Sequence, residues 1–382
     1  MPPDEFNEQT AASAGLRPDR RRSATAPNVH NSIWILSNGR QGDLDQMRIL
    51  ADAIGWDTSI KRLVWRWPAA LRLNPLTPLA VDWQASGLAD KPFPTAIMFS
   101  EARTTHIALA LKRRLETAGH ASILICNGRP ASLTGSFDIV VTSAQYQLPE
   151  RPNVVHLPAP AIRRDRMPVP QTCASAAALM SSLAQPRLLA LVGGASSPDI
   201  LGPQEAEELL AQASEWARER QGSLVVATSP RTSPEVQTRL QKALPDNAVL
   251  YCWKPDDPHN PHPGYLQYAD AVLVTSDSVS MMVEAALFDL PVDVFPLPKK
   301  HSLRHRLIRW LWRRQDKGLT KLARPLFKLG LLEPRANRGK LLTNLSEQGY
   351  LAGQASARHS PLAPALDEAI EQAASMIRQK AM

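Results

Sequence analysis

A chain of 382 residues, 44% of them hydrophobic, can bury a large core and has the length of two domains. The net charge of +8 is local. Residues 299–328 hold eleven Lys/Arg against one Asp, which leaves the remainder near −2 and argues against a nucleic-acid surface spread over the protein. Cys126, Cys173 and Cys252 are odd in number and far apart, without metal-ligand spacing, and read as buried thiols. No run of 18 apolar residues is present to cross a membrane as a helix, and the first residues lack a signal-peptide pattern.

Residues 1–30, rich in Ala, Ser, Pro, Arg and Asn, show no periodicity and read as a disordered tail. A first domain is expected over 31–160. Its opening strand, 33–36, runs into Ser37-Asn38-Gly39-Arg40-Gln41-Gly42-Asp43 and then a helix to about 54. Two glycines in a strand-to-helix turn let backbone approach a ligand, although the spacing is neither GxGxxG nor a P-loop. The plainer reading is a tight turn with Asp43 as the helix cap. A strand at 58–64 follows, then an aromatic, proline-broken stretch from 65 to 83 that reads as a packed loop. The next strand, 95–99, leads through Ser100 and Arg103 into a helix ending near 118. Strands at 121–126 and 138–141 complete the half. Residues 161–186 read as a linker with room for one helix.

The pattern restarts over 187–298. A strand at 188–192 ends in Gly193-Gly194-Ala195-Ser196-Ser197, and a helix covers about 204–220. The strand at 223–227 ends in Thr228-Ser229-Pro230-Arg231-Thr232 and a helix spans 234–243. A strand at 247–251 and a loop at 253–264 lead to the strand 271–274. There Thr275-Ser276-Asp277-Ser278 supplies capping groups for a helix over 279–288, and a last strand ends by 294. Strands alternating with helices in both halves imply parallel βαβ units, hence an α/β protein of two doubly wound, Rossmann-like domains.

Three strand ends of the second half thus carry small, hydroxyl or cationic residues. A diphosphate needs backbone N–H groups at a helix start, hydroxyls and a cation. Gly193, Gly194, Ser196, Ser229, Thr232, Ser278 and Ser280 offer the first two, and Arg231 the third. Glu284, less than two turns into its helix, suits the paired hydroxyls of a ribose. Asp43 and Asp277 are both candidate bases, and spacing does not choose between them. His259 and His262 are further candidates, although a lone loop histidine is more often merely exposed. No metal site is expected, and no cofactor beyond a nucleotide-diphosphate sugar as co-substrate.

Residues 299–345 form a basic segment. Leu303, Leu307, Trp310 and Leu311 share one helical face, with Arg306, Arg309 and Arg313 largely off it, and Arg304 and Arg314 interrupt the apolar arc. Such a helix suits an anionic bilayer surface, engaged through 299–328. A solvated charged helix packed on its domain and an RNA-binding patch are the alternatives. Residues 346–382 read as a helical segment, which in a two-domain arrangement would cross back to the first domain.

WILSNGRQGDLDQ, the TSPRT loop and above all GYLQYADAVLVTSDSVSMMVEA resemble the ELM-type mitochondrial fission family of glycosyltransferase-like proteins, over about two thirds of the chain. The resemblance implies a GT-B-like arrangement: two Rossmann-like domains facing a cleft, with a nucleotide sugar held by the second. It assigns Gly193, Gly194, Ser196, Ser229, Arg231, Ser278, Ser280 and Glu284 to the donor side, and Gly39, Arg40, Gly42 and Arg103, with Asp43, to the acceptor side. The chain departs from the family pattern at Asn38, in HNPHPGY, and at Gln145-Tyr146. The implied function is a nucleotide-sugar-dependent glycosyltransferase working on an envelope glycan or lipid acceptor. Its implied place is cytoplasmic and peripheral to the inner membrane. A membrane-surface scaffold without catalysis, and a nucleotide-sugar epimerase or hydrolase, are the alternatives.

Overall fold

The computed structural model describes residues 31–382 except 67–76, 167–171, 196–197, 256, 258, 301–302, 315–317, 329–331, 333–336, 350 and 352–361. The tail read as disordered, residues 1–30, lies outside the described residues. So does Ser196.

The first half contains β1 (Ser32–Ser37), α1 (Gln41–Ile54), β2 (Asp57–Arg62), α2 (Thr77–Ala80), β3 (Ala96–Ser100), α3 (Glu101–Thr117), β4 (Ile123–Asn127), β5 (Ile139–Ser143) and β6 (Val154–Leu157). All six strands are parallel, in the order β2-β1-β3-β4-β5-β6. Alternation along β1 divides the core. Ile33 and Ile35 pack under α1, while Trp34 and Leu36 join the opposite layer with Ile107 and Leu111 of α3. β3 is buried at every position, as a central parallel strand covered on both faces should be. Gly55 closes α1 in the left-handed region, its N–H bonded to the Ala51 carbonyl.

The second half contains α4 (Thr172–Ser182), β7 (Arg187–Val192), α5 (Pro203–Glu219), β8 (Ser223–Thr228), α6 (Pro234–Ala243), β9 (Ala248–Tyr251), α7 (His262–Tyr268), β10 (Ala271–Thr275), α8 (Val279–Leu287) and β11 (Val292–Phe295). These strands too are parallel, in the order β11-β10-β7-β8-β9. The protein therefore has two Rossmann-like α/β domains. β6 and α7 were not expected from sequence. β6 is four residues between prolines, and α7 begins inside a loop crowded with Pro, Asn and His.

Among the described residues four α-helices follow, α9 (Leu303–Arg313), α10 (Arg324–Lys328), α11 (Arg338–Glu347) and α12 (Leu362–Ala381), with a 3-10 turn at Gly318–Ala323 ahead of α10. The basic stretch is thus several elements rather than one surface helix. Ile308 and Trp312 of α9 and Phe327 of α10 are buried in the first domain's core beside Trp34 and Phe99. Leu311, expected on the exposed apolar face, is half-buried against that core, whereas Leu303, Leu307 and Trp310 are exposed. The aromatic stretch packs as well, through Trp65 and Trp83. α12 returns to the first domain, packing against α1, β4 and β6 and adding Leu366, Ile370, Ala373, Ala374 and Ile377 to the core layer that holds Ile33 and Ile35.

The C-terminal edges of both sheets meet in a small apolar cluster. Val279, Val283, Ala286 and Leu287 of α8 pack there with Ala159, just past β6, and with Leu341 and Leu345 of α11. The start of α11 bridges the same two edges. The Asn337 N–H donates to the Gln145 carbonyl past β5, and Arg338 pairs with the buried Asp199 past β7.

Candidate functional site

In an open parallel sheet, ligands bind beyond the strand C-termini where strand order reverses, because the flanking loops diverge there. In the second sheet that point lies between β7 and β10. Gly193 and Gly194 follow β7, and Thr275 to Ser278 follow β10. One hydrogen-bonded network joins them. Gly193 N–H donates to Thr275 Oγ1 at 2.8 Å, and the Thr275 hydroxyl donates to Asp277 Oδ1 at 2.7 Å. Gly194 N–H donates to Asp277 Oδ2 at 3.0 Å. From the end of β8, Arg231 pairs through Nη1 with Asp277 Oδ2 at 3.1 Å and donates through Nη2 to Ser278 Oγ at 3.2 Å. Ser229 N–H donates to Thr232 Oγ1 at 2.9 Å, and that hydroxyl reaches the Gly193 carbonyl.

Both glycines are required by close approach. A Cβ on Gly193 would stand 2.3 Å from Asp277 Oδ1, and one on Gly194 would stand 2.1 Å from the Arg231 carbonyl oxygen. No flexible side chain can yield at the second position, since the obstacle is backbone.

Asp277 has a different part from the catalytic one considered for it. Its side chain is 0% exposed, and both oxygens are taken by Gly194, Thr275 and Arg231. It organises the loops and cannot reach a substrate as a base. The cap expected from the Thr275–Ser278 run also differs. Ser278 occupies the N-cap position of α8, but its side chain makes no capping bond and instead accepts from Arg231. The first-turn amides of α8 are therefore left uncapped by Ser278, with the half-exposed Arg231 guanidinium beside them and Ser280 at the surface. A helix start of this kind, next to a cation, favours an anion.

Glu284, one and a half turns along α8, is held by His262 of α7, with Nε2 and Oε2 2.8 Å apart and both side chains about four-fifths buried. Sequence reasoning named His262 only as a disfavoured base candidate and did not pair it with Glu284. The available signal was its place at the head of an unrecognised helix, in a loop that is locally braced. Tyr251 donates to Asp257 at 2.7 Å, and the His259 N–H donates to the other oxygen of the same carboxylate. Those two bonds hold the Asp257 carboxyl below its usual range, while burial, then the Asp257 bond, push the Tyr251 phenol up. His259 itself is exposed.

The first sheet reverses order between β1 and β3, and the acceptor-side candidates sit there. Gly39 adopts φ +93°, where a side chain would be strained, and its N–H donates to Ser37 Oγ. Arg40, not Asp43, occupies the N-cap of α1. Asp43 lies in the first turn, half-buried, and Gly42 faces open space. Arg103, in the first turn of α3, lies over the Trp65 ring at 5.7 Å. Asn127, closing β4, is a buried polar strand end that sequence reasoning did not single out.

A family model described as Mitochondrial fission ELM1 matches residues 41–324. The chain belongs to that family. Its similarity to the Mitochondrial fission protein ELM1 of Arabidopsis thaliana is 40% identity over 73 residues, 19% of this chain and 17% of the plant protein. The match thus spans less than a fifth of that relative's length. Solved structures similar to this family member include UDP-GlcNAc 2-epimerase from Methanocaldococcus jannaschii, with 8% identity, TM-score 0.48, and 91% of this chain and 99% of that one covered. A UDP-glucosyltransferase from Polygonum tinctorium has 11% identity and TM-score 0.47, with 94% and 98% covered. Sucrose-phosphate synthase from Thermosynechococcus elongatus has 15% identity and TM-score 0.47, with 91% and 98% covered. Likenesses this distant decide nothing about activity, and the fold rests on the strand order itself.

Proposed function

We propose that the protein is a glycosyltransferase that takes a nucleotide-diphosphate sugar in the second domain and works at a membrane surface on an envelope glycan or lipid acceptor. One observation carries the donor half of this reading. At the switch point of the second sheet, uncapped amides of α8 stand beside the Arg231 guanidinium, which buried Asp277 and Ser278 hold in place. That arrangement supports diphosphate binding without a metal, because helix dipole and guanidinium together offset the charge. We assign Glu284, further along the same helix and held by His262, to the paired hydroxyls of the ribose. On the acceptor side, Asp43 is the remaining base candidate, at the switch point of the first sheet with Gly39, Arg40, Gly42 and Arg103. The exposed Leu303, Leu307 and Trp310, amid the chain's densest basic stretch, support the membrane surface.

The test is a thermal-shift panel of nucleoside diphosphates against the wild type and Glu284→Ala. Binding to the native state alone stabilises by about 2.7 kcal/mol at a hundredfold excess over Kd. One diphosphate should raise the melting temperature selectively by its base, and the variant should lose that gain. A flat response to every diphosphate would sink the donor site and leave a membrane-surface scaffold.

A further inference from the structure

Away from both switch points, at the opposite edge of the first sheet, a cavity of about 220 Å³ opens between the chain ahead of β5 and the basic helices. Its walls are Leu133, Thr134, Gly135 and Ser136 from the turn before β5, Arg151 from the turn before β6, Trp312 of α9, and Arg324 at the head of α10. Two guanidinium side chains and two hydroxyl side chains from the described residues therefore line one small hollow. The Trp312 wall is fixed, because its ring packs edge-on against Phe327 at 5.0 Å and both are buried.

The segment that walls this hollow also carries most of the large exposed apolar side chains among the described residues. Of nine large hydrophobic side chains exposed among the described residues, five lie between 303 and 326: Leu303, Leu307, Trp310, Leu322 and Leu326. Leu303, Leu307 and Trp310 follow helical spacing on one side of α9, while Ile308 and Trp312 anchor its other side in the core. The apolar stripe is thus held outward by packing. Exposed Arg306, Arg314, Lys321 and Arg324 accompany it. Apolar side chains and cations presented together match an anionic bilayer, into which the former insert while the latter meet phosphates.

We propose that the Arg151–Arg324 cavity is a phosphate-binding pocket for the headgroup of an anionic phospholipid, seated when the α9–α10 face lies on a membrane. The inference rests on the membrane-surface part of the function proposed above and on nothing in the donor site. Guanidinium groups suit a phosphate because their N–H donors match its oxygens, and the Thr134 and Ser136 hydroxyls add donors that a diffuse basic patch lacks. The pocket adds recognition of one headgroup to a general charge attraction.

Vesicle flotation of the full chain tests this, with phosphatidylcholine vesicles alone or mixed with phosphatidic acid. Variants Arg151→Gln, Arg324→Gln and the hydroxyl pair Thr134→Val/Ser136→Ala are compared with Lys321→Gln, which removes an exposed charge outside the cavity. Lys321→Gln should weaken binding to the acidic vesicles about fivefold, the loss expected for any one basic residue near the surface. The arginine variants should lose roughly tenfold or more, as for charge-assisted bonds removed from a fixed site. The hydroxyl pair should weaken binding without any change in charge. Equal losses for all three charge variants, with the hydroxyl pair silent, would overturn the pocket and leave the membrane surface standing. Failure of the wild type to float with acidic vesicles would overturn both. Glycerol phosphate and inorganic phosphate serve as soluble probes by calorimetry. Binding of either as tight as that of a short-chain phosphatidic acid would make this a soluble-phosphate site and overturn the lipid assignment. Unchanged melting of the variants shows that the fold is intact.

Discussion

Gly194→Ala is the sharpest perturbation of the donor site, because it adds one methyl group where backbone meets backbone. The new Cβ would lie 2.1 Å from the Arg231 carbonyl oxygen, 2.4 Å from its carbon and 2.6 Å from its Cβ. Ordinary van der Waals contact begins near 3.4 Å, so the loops after β7 and β8 must part by more than an ångström. That displacement pulls Arg231 from Asp277 and Ser278, whose contacts are now 3.1 and 3.2 Å. Overpacking of a tight site costs about 1–3 kcal/mol. At about 2–4 °C per kcal/mol for a domain of this class, the melting temperature should fall by roughly 2–12 °C. Added nucleoside diphosphate should no longer raise it. Gly42→Ala is the control, since nothing lies within 4 Å of its added Cβ and the site is helical. It should leave stability unchanged or raise it by up to about 1 kcal/mol. Differential scanning fluorimetry with and without the diphosphate reads both. A Gly194→Ala protein that melts with the wild type and keeps the diphosphate gain would refute the close-approach argument.

Three further outcomes are expected. Arg338→Met should cost about 3–5 kcal/mol in urea unfolding, because it strands the Asp199 carboxylate, 2% exposed, without its cation. Adding Asp199→Asn to that variant should recover much of the loss, and independent, additive losses would show that the pair is not coupled. Ile370→Ala should cost about 2–5 kcal/mol, as for any large aliphatic removed from a packed core, although it lies in the final helix. A cost within error of zero would mean that α12 does not dock on the first sheet. Cys126 is fully buried, and desolvation pushes its thiol pKa well up. Iodoacetamide at mildly alkaline pH should therefore label the half-buried Cys252 and spare Cys126 until the protein unfolds. The native state therefore keeps the thiol proton more firmly than the unfolded chain. This contribution to stability is intact below an unfolded pKa of about 8.5 and declines as pH rises from there toward the raised native value. Cys126→Ser should flatten the decline, and an unchanged slope would tell against it.

Local pattern determined a good deal of this protein. Short continuous apolar runs such as LLALV and AIMF, bounded by turn residues, read as strands covered on both faces, and their alternation with helices of period 3.6 implies parallel sheets. Small and polar residues stood out at strand ends because apolar runs stop there abruptly, so Gly193, Arg231 and Ser278 were readable as a group. The elements without such pattern escaped: β6 is too short, and α7 begins amid prolines. Tertiary structure decided which strand ends meet. The order β11-β10-β7-β8-β9 is a long-range pairing that no local window contains, and it seats Asp277 between Gly194 and Arg231, where burial turns a candidate base into a brace. It likewise sets His262 against Glu284 across 22 positions of sequence. In α9 the periodicity announced an amphipathic helix, yet two apolar stripes were available. Packing against Trp34 and Phe99 chose Ile308 and Trp312 for the core and left Leu303, Leu307 and Trp310 outside, because burial depends on which surface a helix meets and not on its own sequence alone.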